Sequence, residues 1–349
     1  MDQADYLIVG QGLVGSILAY KLSQQNKRVV IIDKGSGNTA SRQASGLINP
    51  ITGRRFVKTW MIEELLPEAR SFYKELSIRF NHSLHKETSL LKILHTNEQV
   101  NDFHIRRASE AYAKYLFEYP DETPAPIQGG FGQAKIKPLL QIDIKLMMDD
   151  FYAYLKQNIN LQESEFEHLA LKEFEDGYKY HKITAKKVVF AEGYKMRFNP
   201  YFNSLPIQFS KGEALIIECP NLNLDCVLNS KININPLGED RYCIGSTYDW
   251  NDMVQKPTLK KKKYLLDALA AAIDAPFKVV EHKVGIRPTI VDRKPILGEH
   301  PTHKNMYVLN GMGTKGLSLA PYFADHLIAH MENGMPLLDE VNIERFYEA

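Results

Sequence analysis

Two glycine-rich turns and one arginine carry the residues best suited to chemistry in this 349-residue chain. Gly10-Gln11-Gly12-Leu13-Val14-Gly15 fits G-x-G-x-x-G, directly after the apolar run Tyr6-Leu7-Ile8-Val9 and before Leu13, Val14, Ile17, Leu18 and Leu22 at helical spacing. In such a strand, turn and helix, Gly10 permits the tight turn, Gly12 lets the backbone approach a pyrophosphate, and Gly15 lets helix and strand pack closely. The helix N-terminus at Leu13 and Val14 offers N–H groups and the positive end of its dipole to the phosphates. Asp33 closes the run Val29-Val30-Ile31-Ile32 about 20 residues on, where a carboxylate accepts hydrogen bonds from an adenosine ribose and repels a 2′-phosphate. This set addresses a dinucleotide, NAD or FAD.

Near the other end, Tyr307 to Pro321 reads as a strand, a turn holding Gly311, Gly313, Thr314, Lys315 and Gly316, and a helix over about Ala320–Met331. Its Pro321 is expected in the first helical turn, where a missing N–H does no harm. A second helix N-terminus then faces whatever the turn encloses. In a flavoprotein that positive end stabilises the negative charge that develops at N1 and the C2 carbonyl on reduction; the alternative is a glycine-rich connection without a ligand. Upstream, Arg287 stands between Gly285 and Pro288, placed either to offer a guanidinium fork to a carboxylate or to make a structural salt bridge.

The elements that must position these residues alternate along the chain. Helices are expected over Met61–Leu76, around Ala108–Tyr115, and over Ile142–Leu155 and Leu259–Ile273. His168 to Glu192 alternates as a hairpin ending in Val188-Val189-Phe190-Ala191, and Pro206 to Asp249 is mostly strands separated by Gly and Asn turns. The pattern is α/β at both ends with an antiparallel block inserted, hence two domains. Composition is that of a soluble globular protein, with 44% hydrophobic and 24% charged residues. The net charge of +1 gives no overall attraction to nucleic acid or an anionic membrane. Cys219, Cys226 and Cys243 form no C-x-x-C pair, so reduced thiols and no metal site are expected. Met1 to Tyr6 leads straight into a strand, which leaves no room for an export signal, and no apolar run is long enough to span a bilayer; a cytoplasmic location is the expectation. His82 with His85, and His300 with His303, read as surface residues in place of metal ligands, and Lys260 to Lys263 as a solvated helix face.

Three stretches in order carry a resemblance: the N-terminal motif, G-x-R-P-x-x-x-D-x-x-P-x-x-G over Gly285–Gly298, and G-x-x-x-x-G-x-x-x-A-P over Gly311–Pro321. Together they resemble the D-amino-acid oxidase superfamily, and within it the glycine oxidases. Further matches are Ala44-Ser45-Gly46-Leu47, Val188 to Gly193, Lys211-Gly212-Glu213 and Ile244-Gly245-Ser246-Thr247, so the likeness spans nearly the whole chain. It implies a doubly wound FAD-binding domain (residues 1–58, 139–205 and 285–349) with an inserted α+β substrate domain (59–138 and 206–284) containing an antiparallel sheet. It also implies cofactor contacts from Gly10, Gly12, Leu13, Val14, Gly15 and Asp33, then Lys34 and Ser41, then Ala44, Ser45, Gly46, Ala191 and Gly193. In the C-terminal turn it adds Gly311, Gly313, Thr314, Lys315, Gly316 and Leu317. No cysteine or histidine stands at the flavin-attachment positions of the related sarcosine oxidases, which implies non-covalent FAD.

The resemblance assigns Arg287 to the substrate carboxylate and Tyr248 to a substrate-facing position. It also exposes departures: Asn233 stands where glycine oxidases have a tyrosine ahead of Pro236, Thr314 where they can carry an arginine, and Glu192 is unusual beside Gly193. The implied reaction is oxidation of the C–N bond of a small amino acid or N-substituted glycine by hydride transfer to flavin N5, with oxygen or another acceptor taking the electrons. Three alternatives stay open. A 2-hydroxy-acid dehydrogenase would want a histidine base that the motif segments lack. A tRNA wobble-uridine carboxymethylaminomethyl-modifying oxidase draws on nucleic acid contact through the Arg54, Arg55 and Lys58 loop. The third is a non-catalytic flavoprotein.

Overall fold

The computed structural model describes residues 2–35, 39–119 and 125–347; parts of the polar stretch Lys34–Gln43 and of Ser89–Ile127 lie outside it. The chain divides into two compact units, one of Met1–Arg42, Ile144–Ser210 and Ile286–Ala349, the other of Gln43–Asp143 and Lys211–Gly285. Residues 43–58 and 139–143, read from sequence as part of the first domain, thus fall in the second unit. The reason is strand pairing: Leu47 and Ile48 pair with Gln141 and Leu140, and Ile51–Thr52 folds back on Val57–Lys58.

The first unit is built on an eight-stranded sheet. Val29–Asp33 pairs in parallel with Asp2–Val9 and with Asn160–Glu163, and Asp2–Val9 pairs in parallel with Ile183–Phe190. The last of these is more than the hairpin arm expected from its alternation. Its first half pairs with Gly177–Tyr180, and its second half, Val188 to Phe190, pairs in parallel with Met306–Asn310. A strand buried on both faces reads as a continuous apolar run, and Val188, Val189 and Phe190 are all fully buried. The Leu13–Gln24 helix buries Leu13, Ile17, Leu18 and Leu22, and its Tyr20 meets Phe151 and Tyr154 of the Ile144–Asn158 helix edge-on. The last helix runs Gly316–Asn333, starting four residues ahead of expectation, so Pro321 lies inside it. The early start follows from the Lys315 carbonyl, which accepts from both Ser318 N and Leu319 N at 3.0 Å.

The second unit holds a nine-stranded sheet, mostly antiparallel. Across it run Ile207–Glu218, Arg241–Gly245, Asn233–Gly238, Val227–Asn229, His85–Leu94 and Gly132–Ile142. One face packs Leu91, Leu215, Leu228, Ile234 and Ile244 against Leu265 and Leu269 of the Leu259–Ala270 helix. The charged helix expected at Ala108–Tyr115 is only Glu110–Ala113; the main helix there is Asn97–Arg107. Its start was marked by a capping pair, since Thr96 accepts from Gln99 N and Gln99 Oε1 accepts from His95 N. Among the described residues no helix is long and apolar enough to cross a membrane.

Candidate active site

In the first unit, the glycine turn lies at the C-terminal ends of parallel strands, where open α/β sheets bind ligands. Gly10 N donates to Ile32 O at 2.9 Å, and Ala191 N to Val9 O at 2.8 Å. Gly10 has φ +107, and a Cβ on it would sit 2.5 Å from Ala191 O; a Cβ on Gly15 would strike the Gly10 carbonyl. Gly12 is different, because a Cβ there would meet only Ser41 Oγ, at 3.4 Å. The space over Gly12 is open, a cradle that a side chain would fill. Leu13 N donates to Ser41 Oγ at 2.9 Å, while the N–H groups of Val14 and Gly15 have no intrahelical acceptor, as in any first turn. Asp33 accepts from Gln11 N at 2.9 Å and from Gly35 N at 2.8 Å, which fixes its carboxylate beside the turn. Lys34 makes an exposed pair with Glu165 at 3.5 Å, a contact of little energetic weight.

The C-terminal turn is tied to the same strand ends by Asn310, which sequence reasoning missed. Its amide is buried, donating to Gly193 O at 3.0 Å and accepting from Gly311 N at 2.8 Å. An asparagine ending an apolar strand just ahead of a glycine was the available signal. Gly313 N donates to Pro288 O at 2.8 Å, Thr289 bridges to Met312, and a Cβ on Gly311 would press Ile290 Cγ1 at 2.6 Å. The turn therefore rests on the strand segment that carries the half-buried Arg287. A Cβ on Gly316 would approach Leu13 Cδ2 at 3.2 Å, so the two helix N-termini meet. Thr314 is exposed and Leu317 buried. Burial, and then the charge of Arg293, pull the Lys315 ammonium below its ordinary pKa, and no described carboxylate forms an ion pair with it. Glu192 is accounted for within the unit: its carboxylate lies 3.0 Å from His168 Nε2 and accepts from Asn199 Nδ2 at 2.6 Å.

Gly46 O accepts from Ile142 N at 2.7 Å, and Ala44, Ser45 and Gly46 belong to the second unit. Asn233 pairs with Gly245 across the sheet and accepts from Asn229 Nδ2 at 2.6 Å. Tyr248, three residues beyond Gly245, is 54% exposed. Lys211 and Glu213 are buried structural charges: Lys211 holds Asp252 at 2.6 Å, and Glu213 accepts from Thr258 N and Oγ1. His282 Nε2 stands 2.8 Å from Glu213 in ion-pair contact, off the angle for a hydrogen bond. The Arg54 loop is a tight turn between Ile51–Thr52 and Val57–Lys58, with Arg54 and Arg55 exposed and Phe56 buried. Lys92 locks it, donating to Gly53 O at 2.7 Å over the Phe56 ring. Burial pushes the Lys92 ammonium down to about 8.

A family model described as FAD dependent oxidoreductase, DAO, matches residues 5–330. The chain belongs to the DAO family. It is 22% identical, over 99% of its length, to the tRNA 5-methylaminomethyl-2-thiouridine biosynthesis bifunctional protein MnmC of Idiomarina loihiensis, of which it spans only 59%. It is 23% identical to the glycine oxidase of Pseudomonas aeruginosa, covering 95% of this chain and 96% of that one. The crystal structure of glycine oxidase from Geobacillus kaustophilus superposes with a TM-score of 0.82 at 22% identity, covering 96% of each chain. At that identity the likeness shows the fold, and it matches the mixed α/β architecture described above.

The DAO-family cofactor is FAD, and the first unit's residues fit it. Gly12 leaves open space at a helix N-terminus that would take a pyrophosphate, and Asp33, held beside it, would take a ribose. The second helix N-terminus adds a positive end with a half-buried lysine. The protein is thus an FAD-dependent oxidoreductase of the DAO family.

Proposed function

We propose that this DAO-family enzyme oxidises the C–N bond of a small amino acid or N-substituted glycine, with Arg287 holding the substrate carboxylate. The observation that carries this reading is the tie between Pro288 O and Gly313 N, which fixes the arginine's strand to the turn opening the last helix. Bound without a covalent link, FAD supplies a hydride acceptor at N5. Arg287 orients the substrate through a two-point pair with its carboxylate. The Cα–H leaves as hydride, the nitrogen lone pair forms the C=N bond, an N–H proton departs, and water hydrolyses the imine to a carbonyl compound and an amine. The nitrogen supplies the electron push, so no dedicated base is required. Tyr248 and Asn233 are the proposed substrate-facing groups of the second unit. Asn233 and Thr314, replacing the tyrosine and arginine of glycine oxidases, favour a substrate other than glycine. Oxygen or another acceptor takes the electrons, and the reading places the enzyme in the cytoplasm.

A second reading, in which the amine is carried on RNA, draws support from the rigid, exposed Arg54–Arg55 turn and from the relative named for tRNA modification. Anaerobic reduction of the bound flavin by a panel of amino acids, N-alkylglycines and 2-hydroxy acids tests the proposal. Bleaching by amines bearing a carboxylate is expected. Bleaching by hydroxy acids alone would replace it with a hydroxy-acid dehydrogenase, and no bleaching by any member would remove it.

A further inference from the structure

Glu192 has no part in the proposed chemistry, yet its carboxylate is closed off inside the first unit with only 6% of the side chain exposed. A buried carboxylate costs free energy unless its oxygens are bonded. Both are: His168 Nε2 stands 3.0 Å from Oε1, and Asn199 Nδ2 donates to Oε2 at 2.6 Å. A carboxylate only accepts, so each partner presents an N–H to it. Asn199 is held in that orientation, because it is fully buried and its Oδ1 accepts from Tyr201 N at 2.8 Å. The His168 ring is set as well, stacked on Phe190 at 5.9 Å between centroids and edge-on to Phe166 at 5.3 Å.

This linkage joins two stretches that border the first glycine turn. On one side Glu192 follows Ala191, and a Cβ on Gly10 would lie 2.5 Å from Ala191 O and 3.3 Å from Glu192 Cα. The next carbonyl, of Gly193, accepts from the Asn310 amide at 3.0 Å. On the other side His168 opens the short helical turn His168–Ala170, reached from the strand Asn160–Glu163, whose Glu163 is in register with Asp33. In the sheet, Asp2–Val9 and Val29–Asp33 lie between Asn160–Glu163 and Ile183–Phe190, so the chain from Glu163 to His168 crosses both before it meets Glu192. Both stretches begin where their strands end, so the ladder bonds of the sheet do not hold them together.

We propose that Glu192 is a positioning residue for the FAD dinucleotide. By binding His168 and Asn199 it fixes the Ala191–Gly193 turn, which backs Gly10, against the crossing that leaves the strand beside Asp33. The inference rests on the FAD assignment and concerns the grip on pyrophosphate and ribose, not the oxidation step. A site that must meet its ligand preformed needs such backing behind the residues that touch it. An anion near a pyrophosphate opposes binding, so the bonds of Glu192, and not its charge, are what the site gains.

Two quantities test it: the Kd for FAD, read from flavin fluorescence as each holoenzyme is diluted, and the Tm at saturating FAD. Glu192→Ala removes both bonds, and His168→Phe keeps a ring on Phe190 but removes the N–H. Each should raise the Kd at least about 10-fold. Glu192→Gln keeps an acceptor for Asn199 and offers an N–H to the other His168 tautomer, so its Kd should stay within about 3-fold of wild type. The double variant Glu192→Ala with His168→Phe should bind no more weakly than Glu192→Ala alone, because the two share one contact. A lower Tm with an unchanged Kd in Glu192→Ala and His168→Phe overturns the inference by making the linkage structural only. Glu192→Gln as weak as Glu192→Ala overturns it by assigning the effect to charge, and losses that multiply in the double variant overturn it by separating the two residues. If Glu192→Ala does not fold, His168→Phe and Glu192→Gln decide on the same terms. A wild-type chain that binds no FAD is the distinct outcome in which the cofactor assignment itself fails.

Discussion

Gly313 N–H donates to the Pro288 carbonyl at 2.8 Å, so the residue after Arg287 and the turn that begins the last helix move as one backbone. The bond fixes the backbone that presents Arg287, and two-point recognition of a carboxylate needs its guanidinium presented from a set direction. Truncation to Ala should cost about 2 to 5 kcal/mol, by leaving a charged group unpaired. That corresponds to roughly 30-fold to several-thousand-fold in kcat/KM. Arg287→Lys should recover part of the loss, and flavin content should not change. An Arg287→Ala enzyme that loses flavin or fails to fold would assign the residue to a structural salt bridge.

Gly12 sits under open space that a side chain would occupy. Gly12→Val should therefore be isolated as apoprotein, read from the ratio of flavin to protein absorbance, with the fold retained by circular dichroism. Full flavin occupancy in this variant would put the pyrophosphate elsewhere.

Lys315 is a half-buried cation at the start of the last helix, held below its ordinary pKa by burial and by Arg293. Its charge should favour the reduced, more negative flavin. Lys315→Met is expected to lower the two-electron midpoint potential on the order of 30 mV, equivalent to about 1.4 kcal/mol. An unchanged potential would show that the ammonium points away from the cofactor.

Lys92 provides a pH test. Burial lowers its folded-state pKa from 10.5 to about 8, so between those values the unfolded chain binds the extra proton. Stability contributed by this group is lowest below pH 8 and rises as pH increases toward 10.5, by about 3 kcal/mol at most. In urea titrations, wild type should gain on Lys92→Met between pH 7 and pH 10, over a constant offset from the lost bond to Gly53. A gap that stays flat with pH would show that the ammonium is solvated.

The parts of this protein legible in its sequence are those specified over short spans. Gly10 to Asp33 announces strand, turn, helix and strand because each glycine answers a local backbone demand, and Gly311 to Gly316 does the same for the second turn. What stayed hidden depends on distant partners. Ile183–Phe190 looked like a hairpin arm because alternation says nothing about a third neighbour arriving from Met306–Asn310. Asn310 gains meaning only once Gly193 lies opposite it. Lys92, inside Leu90-Leu91-Lys92-Ile93, reads as an ordinary alternating surface residue until the Gly53 carbonyl and the Phe56 ring close over it.

The first unit draws on three separated stretches of chain, and the bonds that brace its glycine turns join residues near 10, 190 and 310. During synthesis, the Gly10 turn emerges from the ribosome long before Ala191, which packs against it, and longer still before the Asn310 amide that clamps Gly193. The nascent chain therefore carries the Gly10 turn without these bracing bonds until the stretch around Asn310 has been made. On the proposed cofactor site, flavin capture is expected only after the second unit has been translated, and the early turn must persist, or be sheltered, in the meantime.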